Sequence, residues 1–257
     1  MLIHWLVALV VLLMMMGKPH RRPLSWNKNN SAWTDLSSGF IWMANAGHFF
    51  PAIDTQKQNH QFIPANMNKT KHRQKEHPFN QYWIKRITKE LRINSHPPLR
   101  HNDEGAANTI RLWGDDHSAG VHVFIHGHTN SQFPSRQTRE SIRELKELAQ
   151  PKHSFILQQQ KKAIESGVFH NDVISFGFRT FLFCHEEAFE NQSKKLSELT
   201  QKFKKVTNKE LHVIEVKKTA LSLNECIQTY LFNSQVIIRN KKTILLCPIE
   251  VKRNKKS

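Results

Sequence analysis

Apolar residues in this chain come in short runs rather than long stripes. "FIWMANAGHFF" (40 to 50), "HQFIPANM" (60 to 67), "GVHVFIHG" (120 to 127), "HSFIL" (153 to 157), "DVISFGFRTFLFCH" (172 to 185), "LHVIEV" (211 to 216) and "TILLCPIEV" (243 to 251) are rich in β-branched and aromatic residues and bounded by polar turns, so each predicts a strand. Between them, "NQYWIKRITKEL" (80 to 91), "SRQTRESIRELKELA" (135 to 149), "QSKKLSELTQKFKKV" (192 to 206) and "SLNECIQTYLFNSQ" (222 to 235) predict helices. In the second of these Ile142, Leu145 and Leu148 recur at spacings of three, and Ser222 stands where it can cap the last. Strands and helices interleave, which predicts an α/β fold. Pairs of strands between helices hint at a repeated β-β-α-β unit rather than a plain parallel sheet.

At 257 residues, 39% of them apolar, the chain is long enough to build a real core, which argues against disorder of the whole. Lys plus Arg at 38 against Asp plus Glu at 21 gives a formal charge of +17 and raises nucleic acid, anionic membrane or an acidic small molecule as partners. Much of the excess sits in Lys-rich patches such as "KKLSELTQKFKKVTNKE" (194 to 210) and the tail "KRNKKS", with few aromatics to stack on bases. A solvated face therefore accounts for it better than a polyanion site. The three cysteines, Cys184, Cys226 and Cys247, are unclustered and support neither a disulfide framework nor a zinc knuckle, so a reducing compartment is the default. The first sixteen residues, "MLIHWLVALVVLLMMM", fall short of the ~20 a spanning helix needs and lack the basic flank that precedes the apolar region of a secretory signal. The "GKPHRR" that follows would still suit a short anchor. The expectation is an irregular segment over 1–38, with its apolar stretch at 1–16, then one domain over 39–257. A cytoplasmic location is expected, with an N-terminal membrane anchor as the alternative.

Candidate chemistry begins at "HNDEGAANTIRL" (101 to 112), where Asp103 and Glu104 precede small residues that let a substrate approach the backbone. The same dipeptide also suits an exposed turn. In "VFHNDV" an extended backbone would send His170 and Asp172 to one face. A carboxylate there favours imidazolium and orients the ring, as general acid/base work requires. A hydrogen-bonded pair at a strand entrance is the alternative. Arg136, in "FPSRQTRE", and His72 and Arg73, in "NKTKHRQKEH", are candidate anchors for an anionic group, because arginine binds carboxylates through a planar fork. Taken alone, each reads better as surface charge. His122, His126 and His128 would share a strand face, and "HEE" from 185 begins like a metalloprotease motif. No second helical histidine completes His-Glu-x-x-His, and chance spacing among 16 histidines covers the rest, so no metal site is expected.

Taken together and in order, these pieces resemble the N-succinylarginine dihydrolase family of the guanidino-group modifying (pentein) superfamily. The match is weak at "PHRRPL" (19 to 24). It then runs from "WMANAGHFFPAIDT" through "FIPANMNKTKHR", "DEGAAN", "FPSRQTRE", "GVFHNDVI", "LFCHEEAF" and "YLFNSQ" to "PIEVKRN". The resemblance implies that Glu104 and His170 are the catalytic acid and histidine and that Asn45, His72, Arg73, Arg136 and Asp172 contact substrate. It implies hydrolysis of N-succinyl-L-arginine to N-succinyl-L-ornithine, two ammonia and carbon dioxide in arginine catabolism, with no metal or organic cofactor. Glu104 and Asp172 would grip the guanidinium, and Arg136 with Arg73 the succinyl or α-carboxylate. The implied nucleophile is a cysteine in a Gly-rich segment ending Gly-Pro-Ala-Cys, which this sequence does not contain. Cys184 matches a different cysteine of the family and reads as core.

The implied fold is an α/β propeller of five β-β-α-β modules about a central site, of which this chain would supply roughly three. A chain short at both ends and inactive alone is therefore the expectation. Open apolar edges would favour poor solubility or association, and a homo-oligomer is left open. Smaller departures are "HGH" (126 to 128) for Tyr-Gly-Arg and "QQQK" (158 to 161) for Gln-Gln-Asn-Pro. The expected partner is the small-molecule substrate, with no nucleic acid and no stable membrane association. A non-catalytic remnant that binds an arginine-like ligand or partner is the main alternative, and a basic nucleic-acid binder the lesser one.

Overall fold

Three times in succession the chain runs an antiparallel pair of strands, then a helix, then a third strand that lies parallel to the second. The computed structural model describes residues 46–68, 76–128, 133, 136–240 and 242–254. In the first unit β1 (Gly47–Phe50) pairs with β2 (Gln61–Pro64), and α1 (Glu76–Glu90) leads to the short β3 (Asn94–Ser95). In the second β4 (Thr109–Leu112) pairs with β5 (Val121–His126), and α2 (Arg139–Ala149) leads to β6 (Ser154–Gln158). A short α3 (Lys161–Glu165) then precedes the third unit. There β7 (Ser175–Phe178) pairs with β8 (Phe181–His185), and α4 (Gln192–Thr207) leads to β9 (His212–Val216). After α5 (Leu223–Thr229), a hairpin of β10 (Gln235–Arg239) and β11 (Lys242–Leu246) is followed by α6 (Ile249–Arg253). The fold is α/β with four small sheets among the described residues.

The middle strand β5 is buried at every position, because strands flank both its edges and side chains cover both its faces. One core lies between the second and third units and includes Leu112, Val123, Leu157, Leu182, Cys184 and Phe203. The sheets approach closely there. At Gly177 an added Cβ would come within 2.5 Å of Ile110 Cγ2 and 2.6 Å of Leu112 Cδ2, so only glycine fits without movement. A second core joins Phe50, Ile63, Leu99 and Phe124 to the buried stripe of α2, Ile142, Leu145 and Ala149. That helix starts where the Thr138 side chain accepts from the Ser141 N–H at 3.2 Å and ends at Gln150 in the left-handed conformation.

Several elements differ from the sequence expectation. Residues 172–185 form a 3₁₀ turn, Asn171–Val173, and a hairpin rather than one strand. Arg179, at φ 54, reverses the chain without the glycine or asparagine that usually marks such a turn. The helix expected over 222–235 stops at Thr229. Tyr230 is left-handed, and a 3₁₀ turn, Leu231–Asn233, follows before β10. Ser222 does cap this helix, with Glu225 completing a capping box. The strand expected over 243–251 ends at Leu246, and Pro248 opens α6. Residues 1–38, including the apolar stretch, lie outside the described residues. Among those described, no helix is long and apolar enough to cross a membrane.

Candidate active site

Two loops that enter successive units carry the candidate acid and base. Glu104 immediately precedes a 3₁₀ turn, Gly105–Asn108, that feeds β4, and His170 immediately precedes the 3₁₀ turn that feeds β7. The neighbouring acid has a different task. Asp103 is buried, and its Oδ1 accepts from the Gly105 N–H at 3.2 Å and lies 2.8 Å from His48 Nε2. The other ring nitrogen of His48 lies 3.2 Å from Thr109 Oγ1. The Asp103 N–H donates to Asn66 Oδ1 at 3.2 Å, while Asn66 Nδ2 donates to the carbonyls of Leu99 and His101. Gly105 adopts φ 79, a conformation that favours glycine. Asp103 thus anchors the loop, and Glu104 is left to face His170.

The Glu104 carboxylate is almost wholly buried and uses both oxygens. Oε2 lies 2.6 Å from His170 Nε2, and Oε1 accepts from Nη1 of Arg136. The Arg136 guanidinium carbon sits 4.9 Å from the centroid of the Phe169 ring, a cation–π distance. Phe169 in turn meets the His170 ring edge-on at 5.0 Å and 70°. Arg136 stands just ahead of α2, where its carbonyl accepts from Asn102 Nδ2 at 3.3 Å. Ser141 Oγ, in the first turn of that helix, donates to the Asn102 carbonyl at 2.5 Å. The two entry loops are bonded to each other. The Asn171 N–H donates to Asn108 Oδ1 at 3.0 Å, and Asn171 Oδ1 accepts from Ser175 Oγ at 2.6 Å.

Asp172 is half-buried, and burial pushes its carboxyl pKa up, an effect that the His170 charge offsets in part. Its Oδ2 accepts from Asn233 Nδ2 at 3.2 Å. Asn233 ends the 3₁₀ turn that feeds β10, so it occupies in the next sheet the place that Asn108 and the His170 loop occupy in theirs. Sequence reasoning did not single out Asn233, Phe169 or Asn108. The available signal was that each lies in a quoted motif: Asn108 in "DEGAAN", Phe169 in "GVFHNDVI" and Asn233 in "YLFNSQ". His170 and Asp172 do not flank an extended residue as the strand reading required, because 171–173 is a 3₁₀ turn. Asn45, His72 and Arg73 lie outside the described residues.

The thiols are placed elsewhere. Cys184 in β8 and Cys226 in α5 are both fully buried, and burial pushes each thiol up to about 12, so both stay protonated near neutral pH. Cys247 is exposed after β11. The three histidines expected on one strand face have separate partners, and β5 ends at His126, so His128 lies beyond the strand. His122 Nε2 lies 2.8 Å from Asp54, His126 accepts from Arg139 Nε at 3.2 Å, and His128 lies 3.1 Å from Glu190. No group of side chains suited to a metal ion occurs among the described residues.

Residues 24–257 match the family model for succinylarginine dihydrolase. The N-succinylarginine dihydrolase of Shewanella loihica is 34% identical over 235 residues, which are 85% of this chain and 52% of that protein. That of Shewanella denitrificans is 33% identical over 234 residues, with the same coverage of 85% and 52%. The chain spans about half the length of the curated relatives it matches. The solved agmatine deiminase of C. jejuni aligns with 74% of this chain and 50% of its own at 12% identity and a TM-score of 0.32, a likeness too loose to define the fold.

Proposed function

From the fact that the chain belongs to the succinylarginine dihydrolase family, we propose that it carries the guanidinium-gripping, acid–base part of a site that hydrolyses N-succinyl-L-arginine. The observation that supports this best is that Glu104 already holds one guanidinium, that of Arg136, over the face of Phe169 and beside His170. A pocket with a buried carboxylate on one side and an aromatic face on the other matches a planar cation. In this reading Arg136 leaves Glu104 when substrate arrives and pairs with one of its carboxylates. Glu104 and Asp172 then hold the substrate guanidinium. Asn45, His72 and Arg73 supply the remaining contacts.

The chemistry follows from what a guanidinium is. Resonance makes its central carbon a poor electrophile, so a thiolate is needed to attack it and carboxylates to fix its plane. The tetrahedral adduct expels ammonia as His170 gives a proton to the leaving nitrogen. The same imidazole then takes a proton from water as that water displaces the thiol. A second round on the ureido product releases the second ammonia and carbon dioxide. Two of this chain's thiols are sealed in its cores, and in this reading the attacking thiol belongs to the part of the family's length that the chain does not match. The three repeated units are read as propeller modules whose entry loops converge on one centre.

Calorimetric titration with N-succinyl-L-arginine tests the reading. The chain alone should give saturable heat that Glu104→Gln abolishes, and no ammonia. Absence of heat from the unaltered chain, or turnover by it, would reject this division of labour. A remnant that only binds would give the same heat, and it is separated by whether turnover returns once the unmatched half is supplied.

A further inference from the structure

A second concavity shares no lining residue with the candidate active site. It is a cleft of about 820 Å³ between one face of α2, the edge strand β6 and the start of α4. Small-molecule sites span about 300 to 1,000 Å³, so its size suits one. The floor is apolar, with Ile142 and Leu157 buried and Ile156 left 41% exposed. The walls are cationic. Arg139, Arg143 and Lys146 follow one another along α2 at spacings of four and three, so they share a face over about 10 Å of helix. Lys195 of α4, which also meets Glu198 at 2.8 Å, adds a fourth cation. The N-cap of that helix, Asn191, lines the cleft as well. No side chain caps α4 and no acid stands in its first turn, so the positive end of a sixteen-residue helix opens there without an anion.

Arg139 is held in an unusual way. Arg100, Arg111 and Arg136 are each paired with a carboxylate, of Glu144, Asp54 and Glu104 respectively. Arg139 Nε donates instead to Nε2 of the buried His126 at 3.2 Å, while His126 Nδ1 lies 2.8 Å from the Gly127 carbonyl. Those contacts require an imidazole that accepts at Nε2 and is therefore neutral, and burial lowers its pKa in the same sense. The histidine thus fixes the arginine without cancelling its charge, and the two terminal nitrogens of the fork are left for another acceptor. Of the two carboxylates in the lining, Glu190 Oε1 already accepts from the Lys161 N–H at 2.9 Å and lies 3.1 Å from His128 Nε2, and Glu147 is exposed.

We propose that this cleft is a binding site for a small organic phosphate of the nucleotide class. Its phosphoryl groups meet Arg139, Arg143, Lys146 and the start of α4, and its flat body lies on Ile156. Several cations and a helix N-terminus together answer a phosphoryl group, with its extra charge and oxygens, better than a single carboxylate. The apolar floor calls for a body that inorganic phosphate lacks. The inference rests on the cleft alone and not on the catalytic reading.

Calorimetric titration of the full chain with ADP is the test. Saturable heat is expected, with an affinity that falls as salt is raised. Arg143 is exposed, so Arg143→Gln leaves the fold in place, and it should weaken binding about tenfold, the scale of one charge-assisted hydrogen bond. Lys205→Gln removes the same charge from an exposed position outside the cleft and should leave the affinity unchanged. Inorganic phosphate should bind about tenfold more weakly than ADP, or weaker still, because it leaves the floor uncovered. Glu104→Gln should keep the ADP heat while abolishing that of N-succinyl-L-arginine, so the two sites are read separately. No saturable heat with ADP, an equal loss on Lys205→Gln, phosphate binding as tightly as ADP, or loss of the ADP heat on Glu104→Gln would each overturn the proposal.

Discussion

Asp103 and Glu104 are adjacent and chemically alike, yet one is scaffold and the other faces the site. The difference lies in who reaches them. Asp103 is taken by His48 and the Gly105 N–H, whereas Glu104 is met by Arg136 and His170 from two other loops. Glu104, His170, Asp172 and Arg136 were candidates in the sequence because their motifs are local. Their mutual contacts were not, since residues 104, 136 and 170 meet only in space. The cysteines show the same limit. No pattern distinguishes Cys226 from a reactive thiol, and only its burial against Leu221 and Phe232 does so. Iodoacetamide should therefore modify Cys247 alone in the native chain and all three cysteines after denaturation. Cys184 or Cys226 labelling as fast as Cys247 would contradict the sealed-thiol account.

At the scale of elements, short β-branched runs and 3.6-residue spacing were enough to read strands alternating with helices. Element ends were harder to place. β3 has two residues and β4 four, too few for a periodicity, and their pairing with longer neighbours is what makes them strands. The turn at Arg179 carries no local signal, so β7 and β8 read as one run. Gly177, inside β7, had no evident role until the second and third sheets were seen to press together over it. Gly177→Ala drives a methyl into Ile110 and Leu112 and should cost about 1 to 3 kcal/mol of stability. Urea unfolding measures this, and a midpoint equal to that of the unaltered chain would show that the sheets part without cost.

Across the whole molecule the first two units are locked by a buried ionic cluster. Asp54, within the β1–β2 connection, accepts from Arg111 Nε at 2.6 Å and from the Gly120 N–H at 2.8 Å, and lies 2.8 Å from His122. Burial alone would raise the Asp54 pKa, but the hydrogen bonds and charges of His122 and Arg111 outweigh it and hold the carboxyl well below its usual range. Burial also lowers the His122 pKa, more than Asp54 raises it. Both signs point the same way. Stability that depends on neutral His122 is present above its ordinary 6.5 and declines as pH falls below it. Stability that depends on ionised Asp54 is present above its ordinary 3.8 and is lost as pH falls further. Urea midpoints should therefore drop in two stages, and Asp54→Asn should cost about 3 kcal/mol at pH 7 and flatten the lower stage. A midpoint independent of pH between 7 and 3 would refute the coupling.

What the sequence by itself determined is the α/β order, the helix caps and the family, because periodicity, capping and motif chemistry act over a few neighbours. Which loops face one another and which cysteines are sealed were decided only by tertiary structure. The loop contacts arise from packing between segments 50 to 70 residues apart, as in the 55 from His48 to Asp103, the 66 from Glu104 to His170 and the 68 from Asp54 to His122. No local pattern encodes contacts at that range.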